Sequence, residues 1–185
     1  ADPTRAVTQP DLSEFEPGVR TALESAIAEF QSALTDAQDS AAAGEAWGEL
    51  GMHYQAHHLQ GLADTCYTQA AALDPADPRW PYLAGFLALE GGDFDTAESR
   101  LSAAAELSPD DVVIRLRLAE TALAAGRLPL ARQRFDELTG GPGMTAARHS
   151  GLGRIAVREG RYDAATEDLE AALRLAPSAT RLRHP

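Results

Sequence analysis

Few residues in this 185-residue sequence have the types and spacing that could do chemistry. Three of its five histidines, His53, His57 and His58, fall together beside Met52. On a helix, positions i and i+4 share a face, so His53 and His57 could offer two imidazoles to one transition-metal ion. No third ligand is evident, and Tyr54 follows His53, so there is no H-E-x-x-H motif. The competing reading has His57 and His58 closing a helix C-terminus, where cationic side chains are favourable, with His53 packed at an interface. Cys66 is the single cysteine, which excludes an internal disulfide and a multi-thiolate zinc site. With no base assignable to it, Cys66 reads as a buried, inert thiol. His149 reads as a packing or hydrogen-bonding residue. There is no glycine-rich phosphate loop, nucleophile elbow or paired-carboxylate arrangement in a supporting context. The expectation is therefore no catalytic residue, no enzyme activity and no cofactor.

Charge is the next source of chemistry. All 16 basic residues are arginine, a bias that fits a GC-rich, bacterial genome. Residues 1–111 carry 20 acidic and 4 basic side chains, a balance of -16, whereas residues 112–185 carry 8 acidic and 12 basic, a balance of +4. One half is acidic and the other mildly basic, without the continuous basic surface that phosphate backbones require, so nucleic acid is not an expected partner. No apolar run approaches the roughly 18 residues that cross a bilayer, so no membrane insertion is expected.

The elements that position these residues repeat. Small residues recur at Gly51, Gly85, Ala119 and Gly153, and alanine at Ala63, Ala97, Ala131 and Ala165. Tyr67, Leu101, Phe135 and Leu169 form a third row, and Ala70, Ala104, Leu138 and Ala172 a fourth. Each row advances by 34 residues, giving units at 44–77, 78–111, 112–145 and 146–179, closed at Pro75, Pro109, the Gly-Pro-Gly around Pro142, and Pro177. In the first unit one helix (44 to about 58) must cross a second (about 61 to 73) where Gly51 and Ala63 let two backbones approach. Trp47, Leu50, Tyr54 and Tyr67 fill the space beside the crossing. Such a hairpin leaves a face uncovered, and stacking its neighbours supplies the cover.

This register, with Trp47, Leu50, Gly51, Tyr54, Ala63, Tyr67, Ala70 and Pro75 in the first unit, resembles the tetratricopeptide repeat. The resemblance implies an all-α, right-handed superhelical solenoid of four helix hairpins. A helix over about 14–37 is expected to cap the first repeat, followed by a linker at Asp39–Gly44. Residues 1–13 read as a flexible arm, and 180–185 as the start of a further repeat. Gly92, Gly126, Gly160 and His58 stand where left-handed residues end first helices. Asp74, Asp77, Asp93 and Asp110 are expected to cap helix N-termini, Pro81 to open a helix, and the Gly140–Gly143 loop to mark a hinge between the third and fourth repeats.

The resemblance also implies a protein or peptide partner in a concave groove lined by first-helix positions. Carried onto this sequence these include Glu45, Met52, Gln55 and Arg79, then Tyr82, Phe86 and Leu89, then Arg117, Glu120 and Leu123, and finally Arg154, Val157 and Arg158. Arginine suits carboxylate recognition, so the expected function is a non-catalytic scaffold binding an acidic segment with a hydrophobic anchor. A periplasmic metal-handling protein using His53 and His57, and a self-assembly module, are the alternatives. The start at Ala1 fits an exported, periplasmic or secreted chain as well as a trimmed cytoplasmic one. The uncapped fourth repeat predicts that the natural chain continues beyond Pro185 or that another molecule covers that face.

Overall fold

The structure is a computed structural model that describes residues 10–175. The expectations for residues 1–9, Pro177 and 180–185 lie outside that range. Among the described residues the chain is all-helical. A 3-10 turn at Leu12–Glu14 precedes α1 (Pro17–Asp36), α2 (Ser40–Ala56), α3 (Gln60–Leu73), α4 (Arg79–Glu90), α5 (Phe94–Leu107), α6 (Val112–Ala124), α7 (Leu128–Asp136), α8 (Pro142–Arg158) and α9 (Tyr162–Leu175). None of these helices is long and apolar enough to cross a membrane. The chain divides between Leu87 and Ala88 into two compact units. The division falls within α4, not at the Gly140–Gly143 loop.

In the first unit, α1 opens at Pro17, where the missing amide hydrogen costs nothing. Arg20 folds back to donate to the carbonyls of Leu12, Ser13 and Phe15 at 3.1, 3.0 and 3.1 Å, and Leu12 packs on the core. Residues 12 and 13 are therefore tied down, contrary to the arm expected there. The Asp39 carboxylate accepts from the Ala42 amide at 2.8 Å, so α2 begins at Ser40 and the linker expected over Asp39–Gly44 shrinks to the residues between α1 and α2. Gly44 belongs to the helix, where it permits a close approach: an added Cβ would lie 3.2 Å from the Ala70 carbonyl oxygen. Phe30 meets Trp47 edge-on, 4.8 Å between centroids, fixing the capping helix to the first hairpin. The core joins Leu23 and Ala26 to Trp47, Leu50 and Tyr54, then to Ala63, Cys66, Tyr67 and Ala70, and finally to Trp80, Ala84 and Leu87. Gly51 lies at the α2–α3 crossing as expected, under the Tyr67 ring and against Cys66.

Helix ends follow the local chemistry. His58, Gly92, Gly126 and Gly160 take φ of 60°, 78°, 75° and 73°, the left-handed conformation their positions predicted. Asp93 accepts from the Thr96 amide at 3.1 Å, whereas at α6 the cap is Asp111, not Asp110, accepting from Val113 at 2.8 Å. Asp77 accepts from the Arg79 amide at 2.8 Å and α4 starts there, two residues before Pro81. Asp74 closes α3 instead of opening a helix.

The second unit packs α5 on α6, α6 on α7 and α8, and α8 on α9. Arg134 donates to both carboxylate oxygens of Glu98 and to the Leu118 carbonyl at 3.0 Å, which ties α5, α6 and α7 together. After the short α7 the chain turns through Gly140 at φ 158°, and α8 begins at Pro142. Phe135 projects onto Gly151, joining α7 to α8 across this loop.

Candidate functional site

In the first unit Arg79 pairs with Glu45 and with Asp77, the latter at 2.6 Å, and its guanidinium lies 4.5 Å from the Trp80 ring centroid. Hydrogen bonds to Asp77 and then Glu45 hold its pKa above the ordinary arginine range. Glu45 and Arg79 occupy the same position in successive repeats, so their contact shows that equivalent positions of α2 and α4 lie side by side. Opposite charges one repeat apart were the signal for this pair. Met52 and Phe86 are also equivalents; Met52 is 42 % exposed, and Tyr82 and Phe86 are half-buried. They form an apolar strip on that register. Gln55 accepts a hydrogen bond from the Tyr67 hydroxyl at 2.7 Å.

The second unit holds Arg117, Arg154 and Arg158, and Leu89, half-buried, also belongs to it. Arg117 donates to Glu120 at 2.6 Å, one turn along α6. Arg158 reaches from α8 to the Leu123 carbonyl in the last turn of α6, where a cation complements the helix dipole. Leu123 itself is fully buried, so its side chain belongs to the core and not to a groove surface. Arg154 is exposed and has no partner among the described residues, and Val157 beside it is 47 % exposed. The helix carrying Arg148, Arg154 and Arg158 contains no acidic residue. Thus the first unit presents an apolar strip beside the paired Arg79, and α8 of the second presents arginine without acidic neighbours on the same helix.

His53 lies within α2, His57 caps it and His58 follows in left-handed backbone. His53 is exposed instead of packed, and His57 is the residue that closes α2, its amide on the Tyr54 carbonyl at 3.2 Å. Among the described residues no three His, Cys, Asp or Glu side chains gather to hold a metal. His149 Nδ1 lies 2.8 Å from the Asp168 carboxylate, linking α8 to α9.

Cys66 is fully buried, and burial pushes its thiol from the ordinary 9.0 up to about 12. Burial, with a smaller contribution from Cys66, also pushes the Tyr54 hydroxyl from 10.0 up to about 12. The native state keeps both groups neutral while the unfolded chain ionises them at their ordinary values. Their contribution is complete below pH 9 and disappears as the pH climbs towards 12. Melting temperature is expected to hold level up to about pH 9 and then fall steadily, with a shallower fall in Cys66→Ala with Tyr54→Phe, where the buried Tyr67 hydroxyl, also pushed up by burial, still contributes.

Two tetratricopeptide-repeat family profiles match the chain, over residues 88–140 and 149–183. No curated protein matches the sequence. Among solved structures, MamA superposes with a TM-score of 0.71 at 16% identity, covering 90% of this chain and 99% of that one. MamA 41-end from Desulfovibrio magneticus RS-1 gives 0.66 at 16% identity, covering 85% and 96%. YrrB, described as a TPR protein with an unusual peptide-binding site, gives 0.70 at 23% identity, covering 85% and 79%. At these identities the superpositions show a shared fold. Together with the helix hairpins and their 34-residue register, the matching profiles establish that this chain belongs to the tetratricopeptide-repeat family.

Proposed function

We propose that this protein is a non-catalytic scaffold that binds a protein or peptide through an acidic segment carrying an apolar anchor. The observation that carries the reading is Arg154, an exposed guanidinium with no partner among the described residues, on a 17-residue helix without acidic side chains. A planar guanidinium in that state can take a carboxylate through two parallel hydrogen bonds. Val157, one turn further along α8, offers apolar surface beside it. Met52, Tyr82 and Phe86 supply a second apolar surface on the first unit. The peptide-binding site named for YrrB supports a peptide as the ligand class.

Arg154→Glu is the cleanest test, because Arg158 also holds the α6 carbonyl of Leu123 and its loss would mix binding with stability. With a fluorescein-labelled peptide of glutamate and leucine residues as probe, the variant should bind at least about tenfold more weakly at low salt. The difference should narrow as ionic strength rises. An unchanged affinity, or no binding of the probe to the wild-type protein, would overturn the reading.

A further inference from the structure

We infer that Val113 on α6 seats the apolar anchor of the ligand, so that the segment recognised carries its apolar residue about four places from the acidic residue taken by Arg154. The inference rests on the acidic-segment reading of Arg154. Val113 is 45% exposed, and Leu116, half-buried one turn along the same face, widens the apolar surface it offers. The bond from Arg158 to the Leu123 carbonyl joins neighbouring repeat positions, so equivalent positions of the packed helices α6 and α8 lie side by side, as Glu45 and Arg79 do on α2 and α4. Val113 therefore stands beside Ala147, its equivalent one repeat on. Ala147 and Arg154 are two helical turns apart on one face of α8.

Those placements set a distance. Two turns advance about 10 Å along α8, and packed helices lie roughly 8 to 10 Å apart, so Val113 and Arg154 are separated by about 14 Å on the diagonal. An extended chain advances about 3.3 Å per residue and covers that span in about four. Charge decides which end takes which group. Asp111 caps α6 by accepting from the Val113 amide at 2.8 Å, and Asp110 beside it is exposed, so an acidic side chain is repelled at the Val113 end. At the other end Glu120 is level with Arg154 but pairs with Arg117 along its own helix, 2.6 Å away. It is the single acidic residue on α6 and α8, which together carry five arginines, so an acidic ligand group is drawn to the Arg154 end. Val157, between Arg154 and Arg158 in the chain, is left to cover the aliphatic stem of that acidic residue.

The test is a set of unlabelled peptides competing with the fluorescein-labelled glutamate-leucine probe, each with one leucine and one glutamate in a serine background. They differ only in the separation of the two residues, which are adjacent, about four apart, or about twice that, each in both chain directions. One direction at the spacing of about four should displace the probe roughly three- to tenfold better than any other peptide. Val113→Ser should abolish that advantage and leave the adjacent peptide unchanged, with a melting temperature within about 2 °C of wild type, since the side chain is exposed. Equal displacement by all the peptides, displacement by none, or an advantage that survives Val113→Ser overturns the Val113 seat. The scaffold reading stands in those cases provided Arg154→Glu weakens the probe. If Arg154→Glu binds the probe as wild type does, the scaffold reading fails, and this inference with it.

Discussion

Gly48→Ala is expected to destabilise the first unit by about 2 to 3 kcal/mol, as overpacking of a filled core does. A Cβ at this position would lie 2.0, 2.2 and 2.7 Å from three ring carbons of Trp80. Trp80 is 1% exposed and shares its core with Trp47, Leu50 and Ala84, so the indole has no empty space into which to swing. Relief therefore requires α4 to move away from α2, which also stretches the Glu45–Arg79 pair. Both tryptophans belong to this unit, so their fluorescence reports its unfolding, and a fall in melting temperature of roughly 4 to 12 °C is expected. Gly61→Ala is the control. It lies in α3 with nothing within 4 Å of its added Cβ, and the better helix former should be neutral or stabilising by up to about 1 kcal/mol. Equal melting temperatures for Gly48→Ala and wild type would show that the ring does not rest on this glycine.

The contrast between Gly51 and Gly48 shows where sequence reasoning reached its limit. Gly51 was legible because small residues return at the same place in every unit, and the recurrence isolates the helix crossing. Gly48 and Gly151 escape that test, since each receives a ring from one particular partner, Trp80 or Phe135, and neither contact recurs along the chain. Gly44 was misread for a related reason. A glycine after several small residues looks like a linker, yet here it lets the Ala70 carbonyl approach a continuous helix. Helix ends, by contrast, were legible almost to the residue at His58, Gly92, Gly126 and Gly160, because left-handed backbone is a local property. The one-residue slip from Asp110 to Asp111 arose because adjacent aspartates offer the same acceptor, and only the geometry decides between them.

The candidate site was less legible than the fold. Spacing alone placed Arg154 and Arg158 one turn apart on α8. It could not distinguish their present duties. Arg158 donates to a backbone carbonyl 35 residues away, and a carbonyl leaves no mark in the sequence. Arg134 is similar: its bidentate pair with Glu98 and its bond to the Leu118 carbonyl depend on three helices converging. Side chain to backbone contacts are the part of a helical repeat that periodicity cannot show, and here they separate a structural arginine from one available to a ligand.

Phe135→Ala is expected to cost about 3 to 5 kcal/mol in the second unit, the largest single effect among these predictions. Phe135 is 1% exposed and packs with Ala119, Ala122, Leu123, Leu152 and Ile155, so it bridges the third and fourth repeats across the Gly140–Gly143 loop. The helix that carries it, α7, has only nine residues, too few to persist by its own propensity, and so depends on this docking. Hydrogen exchange in α7 and α8 should accelerate in the variant, because opening of that hairpin no longer has to lift the ring from its seat. Gly151 supplies the check on cause. A Cβ there would lie 2.3 Å from the Phe135 ring, so Gly151→Ala alone should destabilise by about 1 to 3 kcal/mol. Once Phe135→Ala has emptied the seat, the same glycine change has nothing to strike, and alanine at an interior position of α8 should then be neutral or favourable. The double variant is thus expected to be no less stable than Phe135→Ala alone. Strictly additive losses would mean that the two residues do not share this contact, and would return the Gly140–Gly143 loop to consideration as a hinge.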